Sequence, residues 1–145
     1  MSEITAKKDI EHLKSLGNQK TEYSLSPSID ILETFKSPSV KEYVVVFEQE
    51  HNEFTSLCPK TGQPDFATFK ISYRPDKSCV ESKSLKVYLQ SYRNSSGFGE
   101  AITNKIADDL FAVLQPQWIE VQGIFSPRGG IKWTTIATRR KKKRT

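Results

Sequence analysis

The sequence contains few of the residues that build metal and redox centres. Its 145 residues include two cysteines, Cys58 and Cys79, and two histidines, His12 and His51. None of the four belongs to a Cys-x-x-Cys or His-x-x-x-His pattern, so closely spaced soft ligands for a zinc ion are missing. We therefore predict that the chain has no metal site.

Long hydrophobic runs and nucleotide-binding glycine motifs are also missing. No apolar run approaches the roughly 20 residues that a membrane-spanning helix needs. Because there is no Gly-x-Gly-x-x-Gly motif, any nicotinamide cofactor would be held by something other than a Rossmann unit. Residues 1–9 are polar and mixed in charge, so we expect a cytoplasmic protein with no membrane partner and no structural disulfide.

The excess positive charge is confined to one end of the chain. The formal net charge is +5, and the run Arg-Arg-Lys-Lys-Lys-Arg at residues 139–144 contributes six positive charges by itself. Terminal blocks of like charge are commonly disordered. Residues 139–145 are therefore predicted to form a basic, disordered tail that either aids solubility or binds nucleic acid.

The length and patterning predict one domain preceded by an arm. Residues 1–40 are weakly patterned, with a short helix at Asp9–Leu16, and are expected to pack over the domain or a neighbouring subunit. Residues 41–138 carry strand and helix periodicities. The predicted elements are the strands Tyr43–Glu48 and Phe66–Arg74, the helices Val80–Asn94 and Glu100–Leu114, and the strands Trp118–Phe125 and Lys132–Thr138.

This β-β-α-α-β-β order is typical of an α+β fold. Hairpins at both ends predict antiparallel pairing, and the two consecutive helices must cover one face of the sheet. The open edges and the second face favour self-association.

A reactive cysteine is predicted in the loop after the first strand. Cys58 lies in a segment stiffened by two prolines and a glycine, with Lys60 nearby, which is a setting that favours a thiolate nucleophile. Asp65, seven residues on, could donate a proton to a group held by Cys58. The alternatives are a buried, inert cysteine and an aspartate that caps the loop. Cys79 is interpreted as structural.

Charged residues on the first helix and on a late loop suggest ligand contacts. Glu81 is predicted to point inward, where it would bind a purine-like base or simply face the helix dipole. Lys83 and Lys86 lie one turn apart and could hold a phosphate-bearing cofactor. Arg128 lies in a Pro-Arg-Gly-Gly loop that allows close approach of a ligand. Each of these cations is also compatible with a solvated surface position.

Three segments resemble one known family. Residues 53–68 read Glu-Phe-Thr-Ser-Leu-Cys-Pro-Lys-Thr-Gly-Gln-Pro-Asp-Phe-Ala-Thr, residues 81–86 read Glu-Ser-Lys-Ser-Leu-Lys, and residues 125–130 read Phe-Ser-Pro-Arg-Gly-Gly. They resemble the short, unimodular QueF family of NADPH-dependent 7-cyano-7-deazaguanine reductases, which serve queuosine (tRNA modification) biosynthesis. The resemblance extends from about Leu16 to Ile131.

The resemblance implies a tunnelling fold (T-fold) in an oligomeric ring, a decamer of two pentamers with active sites between subunits. It also implies that Cys58 attacks the nitrile carbon to form a thioimide, that Asp65 donates the proton, and that NADPH reduces the adduct to 7-aminomethyl-7-deazaguanine. The implied substrate-binding residues are Val80, Glu81, Ser82 and Glu100, and the implied cofactor-binding residues are Lys83, Lys86 and Arg128.

One departure from the family keeps two alternatives open. Where the family usually has His-Glu, this chain has Gly99-Glu100. The missing histidine and the basic tail favour a QueF-like amidinotransferase, which adds ammonia to the nitrile base in nucleic acid, whereas the intact cofactor motif at residues 81–86 disfavours it. The other alternative is a poorly active homologue that binds the nitrile base covalently, because a thioimide needs only Cys58 and a shaped pocket.

Overall fold

A computed structural model describes residues 26–143 of the chain. The elements, in chain order, are β1 (Thr34–Lys36), β2 (Val45–Glu48), β3 (Phe54–Leu57), β4 (Pro64–Arg74), β5 (Ser78–Val80), α1 (Ser82–Gln90), α2 (Gly99–Leu114), β6 (Trp118–Arg128) and β7 (Ile131–Arg140). Single 3-10 turns lie at Ile29–Ile31 and Ser91–Asn94. The helix predicted at Asp9–Leu16 lies outside the described residues.

The main sheet is antiparallel and is built around β4. Its five strands pair in the order β2, β4, β6, β7, with β3 also paired to β4. Alternation along β4 buries four side chains on one face: Ala67, Phe69, Ile71 and Tyr73. These side chains share one core with the apolar faces of both helices, so the predicted α+β arrangement with two helices on one face is confirmed.

Buried tyrosines connect the two helices. The hydroxyl of Tyr88 on α1 donates to the carboxylate of Asp109 on α2 at 2.6 Å and lies 2.7 Å from the hydroxyl of Tyr92. Burial raises the pKa of both phenols above the ordinary range, so both stay protonated and available as donors. Neither these helices nor any other helix within residues 26–143 is long and apolar enough to cross a membrane.

A second, two-stranded sheet was not predicted. Strand β1 pairs antiparallel with β5, which places Thr34 opposite Val80. Both strands have three residues, too few to show an alternating pattern. Through this pairing the described end of the predicted arm contacts the segment that leads into α1.

The edge of the sheet beside β4 is interrupted. Strand β2 ends with Glu48 opposite Lys70, and β3 begins with Phe54 opposite Ala67. From Glu48 to Phe54 the edge segment advances six residues, whereas the paired part of β4, from Lys70 to Ala67, advances only three. Three residues of the edge segment are therefore looped out between β2 and β3. His51 and Asn52 in this excursion have positive φ angles of 53° and 55°. The region predicted as one long loop therefore contains the additional strand β3.

The C-terminal strand extends further than predicted. Strand β7 continues through Arg139 and Arg140, so the boundary predicted for the tail at residue 139 is wrong by two residues. Arg139 forms an ion pair with Asp108 on α2 at 2.7 Å, and Lys141 pairs with Asp76 at 2.5 Å. The first residues of the basic run are thus held by the domain.

Candidate active site

The hairpin between β3 and β4 holds Cys58. Its backbone N–H donates to the carbonyl of Gln63 at 2.8 Å, and its carbonyl accepts from the N–H of Gly62 at 2.9 Å. Gly62 has a φ of +71°, a conformation that side-chain-bearing residues rarely adopt. The hairpin therefore presents the thiol at a fixed, partly exposed position.

Hydrogen bonds favour the thiolate form of Cys58. The side chain of Thr61 is the largest influence lowering the pKa of this thiol, followed by the backbone N–H groups of Thr61 and Lys60. The negative charge of Asp65 acts in the opposite direction. Hydrogen bonds from the backbone and from the Thr61 hydroxyl thus stabilise the thiolate, an effect that the sequence analysis attributed partly to the charge of Lys60. Cys79, in contrast, is buried beside the hydroxyl of Tyr43 at 3.3 Å.

Asp65 forms an ion pair with Arg128. The guanidinium lies 2.7 Å from the Asp65 carboxylate, whose side chain is 13% exposed, and it also donates to the carbonyl of Pro64 at 3.3 Å. The predicted proton donor and a predicted cofactor residue are therefore in direct contact. Together with Cys58 they form one cluster at the hairpin end of β4.

A buried hydroxyl that the sequence reasoning missed lies next to this cluster. Ser56 stands directly opposite Asp65 in the β3–β4 pairing, so the two side chains leave the same face of the sheet. Ser56 is fully buried, and its hydroxyl has no hydrogen-bond partner within residues 26–143. Buried polar groups are rarely left unpaired outside functional sites. The only sequence signal is its place two residues before Cys58.

The first turn of α2 lies near the same hairpin. The N–H of Leu57 donates to the carbonyl of Ser95 at 2.9 Å, and the carbonyl of Leu57 accepts from the N–H of Gly97 at 3.1 Å. Glu100 follows in the exposed first turn of the helix. The position before it, Gly99, is buried, and a Cβ atom there would lie 2.7 Å from the ring of Phe125. This chain therefore has no room for a side chain at residue 99.

The other predicted substrate residues lie around the start of α1. The N–H of Val80 donates to the hydroxyl of Tyr73 at 3.0 Å. Glu81 is the helix N-cap, because its carboxylate accepts from the N–H groups of Lys83 at 2.8 Å and Ser84 at 2.7 Å. These bonds lower its pKa. The prediction of an inward carboxylate on the helix stripe is wrong, since the helix begins at Ser82 rather than Val80.

Strand β4 separates the two groups of residues. Asp65 lies near its first residue and Tyr73, which contacts Val80, near its last. Eight residues of extended strand span about 26 Å. Within one chain, the cluster around Cys58 and the residues around Glu81 therefore belong to opposite ends of the sheet.

Comparisons with known proteins agree on one family. Residues 64–144 match the family model described as "QueF-like protein". The chain is 53% identical over 127 residues to an NADPH-dependent 7-cyano-7-deazaguanine reductase of Streptococcus mutans serotype c, covering 87% of this chain and 77% of the relative. It is 52% identical over 124 residues to the enzyme of that name from Bacillus subtilis, covering 85% of this chain and 74% of the relative.

The chain belongs to the QueF-like family. The crystal structure of the archaeosine synthase QueF-Like in the apo form has a TM-score of 0.59 to this chain at 20% identity, covering 71% of this chain and 95% of the other. At that identity the likeness shows the fold alone, and it confirms the predicted tunnelling fold. The resemblance inferred from the three segments is confirmed as well.

The QueF-like chain has a cavity suited to part of a cofactor. A cavity of about 430 Å³ opens between the sheet and α1, with Phe47, Phe69 and Leu85 among its apolar walls and Ser82 and Lys86 at its side. Lys83 and Lys86 are exposed. Neither lysine is among the ion pairs found within residues 26–143, so both are available for a phosphate. These residues fit a ligand such as NADPH, whereas no cluster of three metal-ligating side chains occurs in the same range.

Proposed function

We propose that the protein reduces the nitrile of 7-cyano-7-deazaguanine to 7-aminomethyl-7-deazaguanine with NADPH. The observation that carries this proposal is the hairpin that places Cys58, with a lowered thiol pKa, next to Asp65. The two curated relatives described above bear the name of this reaction. Reduction of a small nucleobase precursor fits the cytoplasmic location expected from the sequence.

The covalent step uses the two hairpin residues. The Cys58 thiolate forms a bond to the nitrile carbon while one carbon–nitrogen π bond breaks, and the nitrogen takes a proton from the Asp65 carboxylic acid. The product is a thioimide on Cys58. When bound, NADPH supplies the hydrides for reduction, and Lys83, Lys86 and Arg128 hold its phosphates by charge-assisted hydrogen bonds.

Recognition of the base falls to the residues around the two helix starts. The Glu81 carboxylate keeps accepting capacity beyond its two capping bonds, because an ionised carboxylate accepts about four hydrogen bonds. It can therefore bind the donor edge of a deazaguanine while it caps α1. Val80 and Ser82 line the same site, and exposed Glu100 provides a second carboxylate.

The complete site is formed between subunits. Asp65 and Tyr73 stand about 26 Å apart along β4, so that Cys58, beside Asp65, and Glu81, beside Val80, lie towards opposite ends of the sheet of one chain. Apolar side chains on the second face of the sheet remain exposed, including Val46, Phe66 and Ile136, and such a face favours association. A decamer of two pentamers would bring the opposite ends of neighbouring sheets together.

The test is consumption of NADPH on addition of 7-cyano-7-deazaguanine, followed by absorbance. About two NADPH should be oxidised per nitrile, and the Cys58→Ala variant, which keeps the remaining residues, should oxidise none. An adduct on Cys58 that NADPH fails to clear would identify a binding homologue instead. Formamidine formed from nitrile-bearing RNA and ammonium without NADPH would establish the amidinotransferase, which the names of the relatives do not favour.

A further inference from the structure

The end of the sheet where β4 finishes carries a cleft with a basic lining. Its volume is about 380 Å³, and its lining residues come from the segment after β1 and from the turn between β4 and β5. Both carboxylates in the lining are already paired. Glu42 pairs with Arg74 at 2.8 Å, and Asp76 pairs with Lys141. Three other lining residues are exposed cations that form no ion pair within residues 26–143: Lys36, Lys41 and Lys77.

The start of the C-terminal basic run lies against the same cleft. The N–H of Lys141 donates to the carbonyl of Gln117 at 3.0 Å, and the N–H of Gln117 donates to the carbonyl of Arg74 at 2.9 Å. Both acceptor residues line the cleft. The other cations of the run up to residue 143 that follow Arg139 are exposed and unpaired in the described part of the chain. Together with the three lysines of the cleft they form one basic surface: Lys36, Lys41, Lys77, Arg140, Lys142 and Lys143.

Backbone contacts join the segments of the basic surface. The N–H of Ser37 donates to the carbonyl of Lys77 at 2.9 Å, so the end of β1 and the turn before β5 are held together. The hydrogen bond with Lys141 is the largest influence lowering the pKa of Asp76, so the ion pair that ties this turn to the basic run persists at neutral pH. A ligand therefore meets positive charge from three connected segments of the chain.

We propose that the basic surface binds the phosphate backbone of a single-stranded nucleic acid. Its cations follow three chain segments rather than surrounding one point, which suits a ligand that repeats its negative charge at regular intervals. Trp118 stands opposite Arg140 in the β6–β7 pairing and is partly exposed. An unpaired base can therefore stack on the indole ring beside the guanidinium. This inference does not rest on the proposed function, whose substrate is a free base.

A lipid surface and a free phosphate fit the basic surface less well. Peripheral membrane binding through basic residues commonly uses a helix that inserts an apolar face into the lipid, whereas this surface is built from strand ends and turns. A free phosphate is held by a few donors around one point. Such a ligand would leave most of the six cations unused.

The experiment measures binding of a fluorescently labelled single-stranded RNA to the full-length protein by fluorescence anisotropy, over a series of salt concentrations. Each neutralised phosphate of a single strand contributes about 0.7 to the slope of log Kd against log salt concentration. The six cations of the basic surface should therefore contribute about 4 to the slope.

Paired substitutions separate the cleft from the basic run. The cleft variant carries Lys36→Gln and Lys77→Gln, and the run variant carries Lys142→Gln and Lys143→Gln. Each should lower the slope by about 1.4 and raise the Kd about tenfold or more at about 0.1 M salt.

The matched control carries Lys60→Gln and Lys132→Gln, which remove the same number of charges at the opposite end of the sheet. Lys60 lies in the β3–β4 hairpin and Lys132 at the start of β7. Both are exposed and form no ion pair within residues 26–143. This variant should bind RNA as the wild type does.

Several outcomes would overturn the inference. One is a wild type that does not bind the RNA, and another is a control variant that loses as much affinity as the cleft variant. If the cleft variant, shown to be folded by circular dichroism, binds like the wild type while the run variant does not, the run acts alone and the joint surface is refuted. Inorganic triphosphate that competes as well per phosphate as RNA would identify a small-anion site instead. Phosphatidylserine vesicles that bind more tightly than RNA, with the same loss in both variants, would identify a membrane surface. NADPH oxidation is measured separately, so none of these results bears on the proposed reduction.

Discussion

Addition of a single methyl group at Gly99 should lower the unfolding free energy of the protein, because the space that its Cβ atom would occupy is filled by the ring of Phe125. The Cβ atom of an alanine there would lie 2.7 Å from Cζ and 2.8 Å from Cε2 of Phe125. Ordinary carbon–carbon contacts are about 3.5–4.0 Å. The Phe125 ring would therefore have to retreat by about 1 Å.

The ring has little freedom to retreat. Phe125 is 1% exposed. It is stacked on Trp133 with centroids 5.1 Å apart and packs edge-on against Phe69 at 6.0 Å. Overpacking of this kind costs about 1–3 kcal/mol, and the better helix propensity of alanine returns at most about 1 kcal/mol. We expect Gly99→Ala to lose about 1–2 kcal/mol of unfolding free energy, and Gly99→His to lose more.

Urea denaturation followed by fluorescence measures this loss, with Gly97→Ala as the matched control. A Cβ at Gly97 would lie 3.1 Å from Cγ1 and 3.4 Å from Cδ1 of Ile102, so Ile102 has to shift by only a few tenths of an ångström and this variant should lose less stability than Gly99→Ala. Phe125→Leu should relieve the clash, giving a coupling energy of about 1 kcal/mol or more in a double-mutant cycle. A Gly99→Ala protein as stable as the wild type would refute the reasoning. If Gly99→Ala is destabilised as expected, low reductase activity in Gly99→His would report misfolding rather than a misplaced imidazole.

Three further predictions concern single side chains. Iodoacetamide should alkylate Cys58 much faster than buried Cys79 and at lower pH than an ordinary thiol, and Thr61→Val should raise the pH required; equal alkylation of both cysteines would contradict the assignment. Ser56→Ala should raise the unfolding free energy by about 1 kcal/mol, since it removes a buried hydroxyl that has no hydrogen-bond partner in the described part of the chain; a destabilised variant would show that the hydroxyl has a partner. Glu81→Ala should cost about 1 kcal/mol at pH 7 through loss of the cap. Folding lowers the pKa of Glu81. The difference in urea midpoint between this variant and the wild type should therefore be full above the ordinary carboxyl pKa and should shrink as the pH falls from there through the lowered pKa of the folded protein. A pH-independent difference would contradict the charged cap.

Long periodic elements were predictable from the sequence, and short ones were not. The alternation of β4 and the helix stripe at Leu85, Tyr88 and Leu89 matched the observed burial because many residues repeat the same signal. Strand β3 has four residues, two of them Thr and Ser. The alternation between buried and less buried side chains in β3 is visible only in the structure, where Phe54 and Ser56 are buried against β4. The sequence does not show it, because this burial results from the tertiary pairing of the two strands.

Within the candidate site, the proximity of residues close in the sequence could be predicted, whereas the contact between residues far apart in the sequence could not. Cys58 and Asp65 are joined by one hairpin, so their proximity follows from nearby sequence. The ion pair between Asp65 and Arg128 joins residues 63 positions apart, and no local pattern encodes it. The capping role of Glu81 was missed because a boundary error of two residues moves a side chain from the cap to the helix face.

The interruption between β2 and β3 has a consequence for the cavity beside α1. Three looped-out residues separate two segments that otherwise pair with β4 as a single edge, and Gln49 and Glu53, on either side of the loop, both line the cavity. Removal of residues 50–52 would place Glu53 directly after Gln49 and leave the ladder in register. The sheet therefore does not depend on these three residues for its register, and they add length to the edge where the cavity wall passes from Gln49 to Glu53.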